Sequence, residues 1–335
     1  MNKLFRISCL CLLAALIGTS PAQAAPIPVK ITTHATTSMA ICRSLETMKK
    51  YVEEKTNGKY RIDIYDQFKL GTMESAYQGM QFGMVHFLVE GPSNLSNFMP
   101  IFSMFDLGYI FPDADTADEV LSGPVGKKIL AAAANKAVTP LTFVRYSNRN
   151  IYLNKPVHSL ADLKGMKVRA SSSPVHIAVL KAMGLNPTPM PGSEVYTGLQ
   201  QGVIDGVDVD ITYLVKGRWD EVCKSVVFTQ HTYLPQIIYT STRWWNKLPE
   251  ADRAIFQEAL DLYVQEQRKN VLEDEAECMQ TIKDKNLSVY TPTPDELATL
   301  KKNMSELYKE FPKIDVNLLN ELKAEAARVA ATKKQ

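Results

Sequence analysis

Residues 154–208 read NKPVHSLADLKGMKVRASSSPVHIAVLKAMGLNPTPMPGSEVYTGLQQGVIDGVD, and this stretch decides the fold. Lys167 to Ala170 alternates as a short strand does. Pro174 to Met183 is a helix that opens on proline and is stopped by Gly184. Ser193 to Gln201 is a second helix, stopped by Gly202, and Ile204 to Val209 returns as a strand. Strands and helices alternating in so short a span predict β-α-β units. Such units imply α/β layers with mainly parallel strands.

The same alternation extends outward on both sides. Toward the N-terminus, Pro28 to His34 reads as a strand and Ser38 to Lys55 as an amphipathic helix ended by Asn57-Gly58. Tyr60 to Tyr65 is a half-exposed strand, Met73 to Phe82 a helix and Met84 to Val89 a strand. Pro112 to Ala137 reads as two helices, with Asp113, Asp115 and Asp118 crowded where the helix dipole favours anions. A strand begins near Val138, and the grammar restarts near Ser147. Toward the C-terminus, Tyr233 to Ser241 is a strand and Pro249 to about Lys285 an unusually long helix. At ~1.5 Å per residue that helix reaches roughly 50 Å, enough to cross two lobes. The chain has 335 residues and no repeats, low-complexity tracts or flexible linkers. Two α/β lobes around a cleft are expected, joined by strands and helices rather than by a tether.

Composition narrows the function. With 45% apolar residues and 38 basic against 36 acidic side chains, the chain is a folded globular protein without the basic footprint of a nucleic-acid binder. Met1 to Ala24 reads as an export signal: Lys3 and Arg6, then an apolar run from Ile7 to Ile17, then Ala22-Gln23-Ala24 as a small-x-small cleavage site. The run is too short to span a bilayer, and no later stretch is long and apolar enough to do so. Removing the signal equalises basic and acidic residues at 36 each. Attraction for a charged ligand must therefore come from a local site rather than a steering field. Cys42, Cys223 and Cys278 are far apart and lack CxxC spacing, which allows one bridge or three buried thiols but no disulfide framework.

Catalytic motifs do not appear. There is no GxSxG, HExxH, GxGxxG or CxxC. The string from Gly123 to Lys128 has the wrong spacing for a phosphate loop and no Ser or Thr after the lysine. Asp205 to Asp210 misplaces the glycine and the final glutamate of a calcium loop, and reads as an acidic strand end near a pocket. The five histidines are scattered. No metal or cofactor is expected.

Four strings in the opening stretch carry a family pattern in order and spacing: Asn154 to Pro156, Ser159 to Arg169, Met183 to Met190 and Ser193 to Asp208. Gln67 to Gly71 and Phe105 to Phe111 add earlier landmarks. Together they resemble the extracytoplasmic solute-binding proteins of tripartite ATP-independent periplasmic (TRAP) transporters, the DctP family, over essentially the whole mature chain. The resemblance implies a two-lobed periplasmic binding protein fold, with a ligand cleft between the lobes and a long helix crossing both. It also implies that Arg169, on the Lys-x-Arg strand, forms the principal ion pair with a ligand carboxylate. A planar guanidinium suits that task, because it stays charged in a closed cleft and grips a carboxylate through two parallel hydrogen bonds.

Other positions follow from the same resemblance. Arg149 is either a second ligand-facing arginine or a hinge salt bridge. His34, Glu90 and Asn94 line the cleft from the first lobe, Ser172 follows Arg169 into the same cavity, and Gln236 sits on the strand that returns between lobes. One departure stands out: many relatives carry Glu-Asn-Pro or a similar string where this chain has Asp208-Val209-Asp210. Val209 offers no side-chain donor, which shifts the carboxylate clamp toward Arg169 and Arg149, and Asp210 is placed to meet a hydroxyl or ammonium group of the ligand.

The resulting expectation is a periplasmic solute-binding subunit, cleaved after Ala24, that captures a small organic anion as a monomer and delivers it to TRAP membrane permease subunits. Residues 25–146 and 235–274 are expected to form lobe I, and residues 147–234 and 275–335 lobe II. The alternative is a periplasmic enzyme or sensor component acting on a similar organic acid.

Overall fold

The computed structural model describes residues 25–333, so the expected export signal over residues 1–24 lies outside the described residues. Within them the strands gather into one nine-stranded sheet. β1 (Ile27–Thr33), β2 (Tyr60–Tyr65) and β3 (Phe87–Glu90) form a parallel first wing with β1 at its centre. β4 (Val138–Leu153) then runs for 16 residues out of this wing. β5 (Lys167–Ala170), β6 (Asn186–Pro189) and β7 (Gly206–Asp210) form a parallel second wing with β5 at its centre. β8 (Ser225–Ser241), of 17 residues, returns antiparallel to β4, and β9 (Ser288–Tyr290) pairs with its start.

The wings are parallel, as the β-α-β alternation implies. The centre is not: β8 is antiparallel to β3, and β4 is antiparallel to β7. The long strands also differ from the sequence expectation. β4 continues through Ser147 without a restart, and β8 begins at Ser225 rather than Tyr233. Both discrepancies have one cause. Arg145, Ser147, Arg149, Asn150, Thr229 and His231 are polar yet buried, so they break the apolar alternation that marks a strand in sequence. Similarly, β3 starts at Phe87 and not Met84, because Gly83 closes the preceding helix with φ +74.

Helices cover both faces. α1 (Ala40–Lys55) and α2 (Met73–Phe82) connect the first-wing strands, and α3 (Pro92–Leu95) follows β3. α4 (Ala114–Ser122) and α5 (Pro124–Ala133) lead into β4. α6 (Pro174–Ala182) and α7 (Val195–Gln200) serve the second wing, and α8 (Ile211–Lys216) follows β7. α9 (Thr242–Trp245), α10 (Glu250–Asp284), α11 (Pro294–Met304) and α12 (Val316–Thr332) complete the chain. Local chemistry sets the ends. The Asp113 side chain accepts from the Thr116 N–H at 2.7 Å to cap α4, while Gly184 and Gly202 take φ of +85° and +71° just past α6 and α7. The other two aspartates of that first turn serve tertiary contacts: Asp115 pairs with Arg145 at 2.6 Å and Asp118 pairs with Arg268.

α10 is the 35-residue helix that the sequence predicts. Phe256, Leu260, Tyr263, Gln267, Val271, Asp274, Cys278 and Ile282 form its buried stripe at three- and four-residue spacing. It packs on α1 of the first wing and on α8 of the second, so it joins the wings. Asp274 makes the polar part of that link. It accepts the Ala40 N–H at 2.8 Å, pairs with Arg43 at 3.0 Å and lies 3.5 Å from Lys216 of α8. Cys42, Cys223 and Cys278 are buried free thiols.

The α4–α5 corner depends on one missing side chain. A Cβ on Gly126 would stand 1.8 Å from the Leu121 carbonyl oxygen, a backbone atom that cannot move aside. Gly126→Ala is expected to destabilise the protein by about 1–3 kcal/mol through overpacking, read as a lowered urea midpoint at unchanged slope.

Candidate functional site

Parallel strands present ligand sites at their carboxyl ends. In both wings those ends face one cavity of about 700 Å³. His34 follows β1, Glu90 ends β3 and Asn94 lies in α3. Arg169 lies on β5, Ser172 just beyond it, and Val209 and Asp210 end β7. The central strands cross beneath, adding Tyr146 and Arg149 from β4 and Gln236 from β8. The β4–β8 register shifts between Val144 and Ser147 and again between Arg149 and Ile151. Such irregularities re-aim side chains, and here they turn Tyr146 and Arg149 toward the cavity. All nine residues proposed from sequence therefore line one space.

The two arginines are held differently. Arg149 is buried and donates through Nη1 to the Asp208 carbonyl at 3.0 Å and to its carboxylate at 3.3 Å. Its Nε is buried without a partner. Asp208 also meets His176 Nε2 at 2.8 Å and His231 Nε2 at 3.1 Å. Burial opposes its charge, but His231, His176 and Arg149 outweigh burial and hold its carboxyl well below the usual range. Arg149 is thus a salt-bridge residue that also lines the cavity. Arg169 is oriented by its Nε, which donates to the Met190 carbonyl at 2.9 Å, and it forms no ion pair with a carboxylate among the described residues. Burial and the neighbouring Arg149 bring its pKa down to about 10, so it stays charged at neutral pH under a strain that an anion would relieve.

The first wing supplies an opposite chemistry. Glu90 is buried and accepts from the Gly91 N–H at 2.7 Å and Asn94 Nδ2 at 3.1 Å, while its other oxygen meets His34 Nδ1 at 3.1 Å. Burial raises the Glu90 pKa, yet His34 and these donors outweigh it and the net shift is downward. For His34, burial pushes the pKa down, and the charge and hydrogen bond of Glu90, with Asp210, reverse this to a net rise.

The remaining sequence-predicted residues have narrower roles. Asp210 caps α8, accepting from the Thr212 hydroxyl and from the Tyr213 N–H at 2.9 Å, and burial raises its pKa. Ser172 is exposed to the cleft, and Val209 contributes a buried apolar wall. Gln236 is buried with its Oε1 lacking any hydrogen-bond partner.

Sequence reasoning missed the aromatic part of the wall. The Tyr213 ring lies 4.8 Å from Trp219, edge to face, and 5.6 Å from His34 of the opposite wing. Burial raises the Tyr213 phenol to about 12. Gln67 and Phe68 also line the cavity, both at positive φ. The string from Gln67 to Gly71 is a family landmark, and that signal alone could have placed them. Tyr213 and Trp219 carry no such mark.

Residues 32–314 match the family described as bacterial extracellular solute-binding protein, family 7. The chain is 31% identical to the 2,3-diketo-L-gulonate-binding periplasmic protein YiaO of Escherichia coli over 246 residues, 72% of this chain and 74% of that one. It is 27% identical to the C4-dicarboxylate-binding periplasmic protein DctP of Rhodobacter capsulatus over 313 residues, 90% and 93% of the two chains. Among solved structures, a TRAP periplasmic solute-binding protein of Haemophilus influenzae with bound L-gulonate is 26% identical, with a TM-score of 0.84 over 90% of this chain and 99% of that one.

The His34–Glu90 pair predicts a signed pH response. His34 should titrate above its ordinary value of 6.5 in imidazole NMR, and at a lower pH in Glu90→Gln, where only Asp210 is left to oppose burial. A raised folded pKa adds stability that is fully present below 6.5 and disappears as pH rises through the folded value. The stability difference between wild type and His34→Gln should accordingly shrink on that upward titration, measured by urea unfolding.

Proposed function

The chain belongs to family 7 of the bacterial extracellular solute-binding proteins, the DctP family of TRAP-transporter solute receptors, and on that premise we propose that its cleft captures a small carboxylate on Arg169 for delivery to the membrane permease. One observation carries this reading: Arg169 is a charged, half-buried guanidinium in the cavity between the wings, oriented through Nε and without an acidic partner among the described residues. A desolvated cation so placed needs an anion, and the planar fork matches a carboxylate. Arg149 stands beside it, fixed by Asp208, and adds positive potential.

The protein binds its acid and releases it unchanged. The cavity carboxylates that acid–base chemistry would need are committed elsewhere, Glu90 to His34 and Asn94, and Asp210 to the first turn of α8. It works in the periplasm as a monomer, after cleavage following Ala24.

Closure accompanies capture. Lobe I comprises residues 25–146 and 235–274, and lobe II residues 147–234 and 275–335. Two of the three boundaries fall where β4 and β8 pass the cavity, next to a register shift of β4, and the third falls within α10. α12 reaches back from lobe II onto α4 and α5 and α10 spans both lobes, so the motion is a restrained hinge. The ligand favours the closed state because only there do Arg169 and the first-lobe groups meet it together.

A thermal-shift screen of the mature protein against carboxylates, sulfonates, amino acids and neutral sugars tests the anion reading. A ligand at about 100 times its Kd adds about 2.7 kcal/mol of native-state stability, enough to raise Tm visibly. A response to neutral sugars and to no organic anion would refute it. With the acid so identified, calorimetry of Arg169→Ala should show a loss of about 2–5 kcal/mol in binding, and Arg169→Lys a smaller one. Small-angle scattering should show a smaller radius of gyration in the ligand-saturated protein.

A further inference from the structure

One buried carboxylate outside the cavity wall bridges the two wings. Asp106 ends the turn Pro100–Asp106, which packs on α3 of the first wing and on α6 of the second. It is 1% exposed, and its two oxygens take donors from opposite sides. Oδ1 accepts from the Ser93 hydroxyl of α3. Oδ2 accepts at 2.6 Å from the hydroxyl of Ser173, the N-cap of α6. No cation pairs with Asp106 among the described residues, so its buried carboxylate is answered by these two hydroxyls and by the positive end of the α6 dipole. Hydrogen bonds to a carboxylate are the stronger class, and their geometry leaves little room for sliding.

Each arm ends beside one wall of the cavity. Ser93 precedes Asn94, which donates to Glu90 at 3.1 Å, and Glu90 in turn meets His34. Ser173 follows Ser172, just past Arg169. Its N–H donates to the Ser171 hydroxyl at 3.3 Å, that hydroxyl meets His176 Nδ1 at 2.8 Å, and His176 holds Asp208, the partner of Arg149. A displacement of α6 relative to α3 therefore carries one set of cavity groups past the other, and Asp106 is the group bonded to both helices.

We propose that Asp106 is a positioning residue that holds the two cavity walls in register, tying α3 to α6 through Ser93 and Ser173. It touches no ligand; it sets how the groups that do so face one another across the cleft. The proposal concerns how the walls are held and stands whichever acid the cleft takes.

Double electron–electron resonance on the ligand-free mature protein tests it, with spin labels attached through Lys50→Cys on α1 and Lys181→Cys on α6. Both positions are exposed, one per wing, and the native thiols are buried. In Asp106→Ala the interwing distance distribution should broaden and move to longer distance. Asp106→Asn should keep most of the wild-type distribution, because its amide accepts from one serine and donates to the other. Ser173→Gly removes only the arm to α6 while keeping a tolerated helix cap, so it should shift the distribution as the alanine variant does. A lowered urea midpoint alone would follow from any structural role, whereas the distance shift and its rescue by asparagine would not. A wild-type distribution in either Asp106→Ala or Ser173→Gly overturns the proposal, as does an asparagine variant displaced as far as alanine. If Asp106→Ala does not fold, Ser173→Gly and Asp106→Asn decide by the same criteria.

Discussion

The antiparallel pairing of β4 with β8 is the constraint on which the rest depends. β8 pairs with the first wing and β4 with the second, so the single hydrogen-bonded ladder between them fixes where the cleft lies. Register shifts interrupt the ladder where it crosses beneath the cavity, and Tyr146, Arg149 and Gln236 sit at or beside these interruptions. A strand that must both bend and present polar groups cannot be uniformly apolar. The buried polar residues of β4 and β8 are the consequence.

Those residues are stable only because nearly every charge among them is answered. Asp208 receives Arg149, His176 and His231 together, and Glu90 receives His34, Gly91 and Asn94. A buried charge without such partners is destabilising by several kcal/mol as an order of magnitude. Against that background Arg169 stands apart, a cavity guanidinium with no acidic partner among the described residues. The paired charges also keep the wall rigid, so little reorganisation is needed when the acid arrives.

Interlobe restraint is built from a second buried carboxylate. Asp274 on α10 holds the N-terminus of α1 and the Arg43 side chain from one wing and approaches Lys216 from the other. Gln267, Asn270 and Asp274 form a polar stretch within the otherwise largely apolar buried face of α10, the helix that touches both wings. Aromatic contact at the mouth, from His34 to Tyr213 to Trp219, completes the enclosure.

The sequence by itself determined the element types, most of their boundaries and the polar part of the cavity wall that the family resemblance marks. Periodicity, caps and stop glycines act over a few residues, and so are visible without a fold: β2, α2 and β5 stand where the pattern puts them. The family resemblance pointed to His34, Glu90, Asn94, Arg149, Arg169, Ser172, Val209, Asp210 and Gln236, and the fold brings these nine around one space. Tertiary structure alone decided strand direction at the centre, because burial on both faces looks the same for parallel and antiparallel strands. It also decided that Arg149 is neutralised and Arg169 is not. That difference depends on which carboxylate lies within reach after folding, and Asp208 is brought to Arg149 by the pairing of β4 with β7, a contact between residues 59 positions apart in the chain.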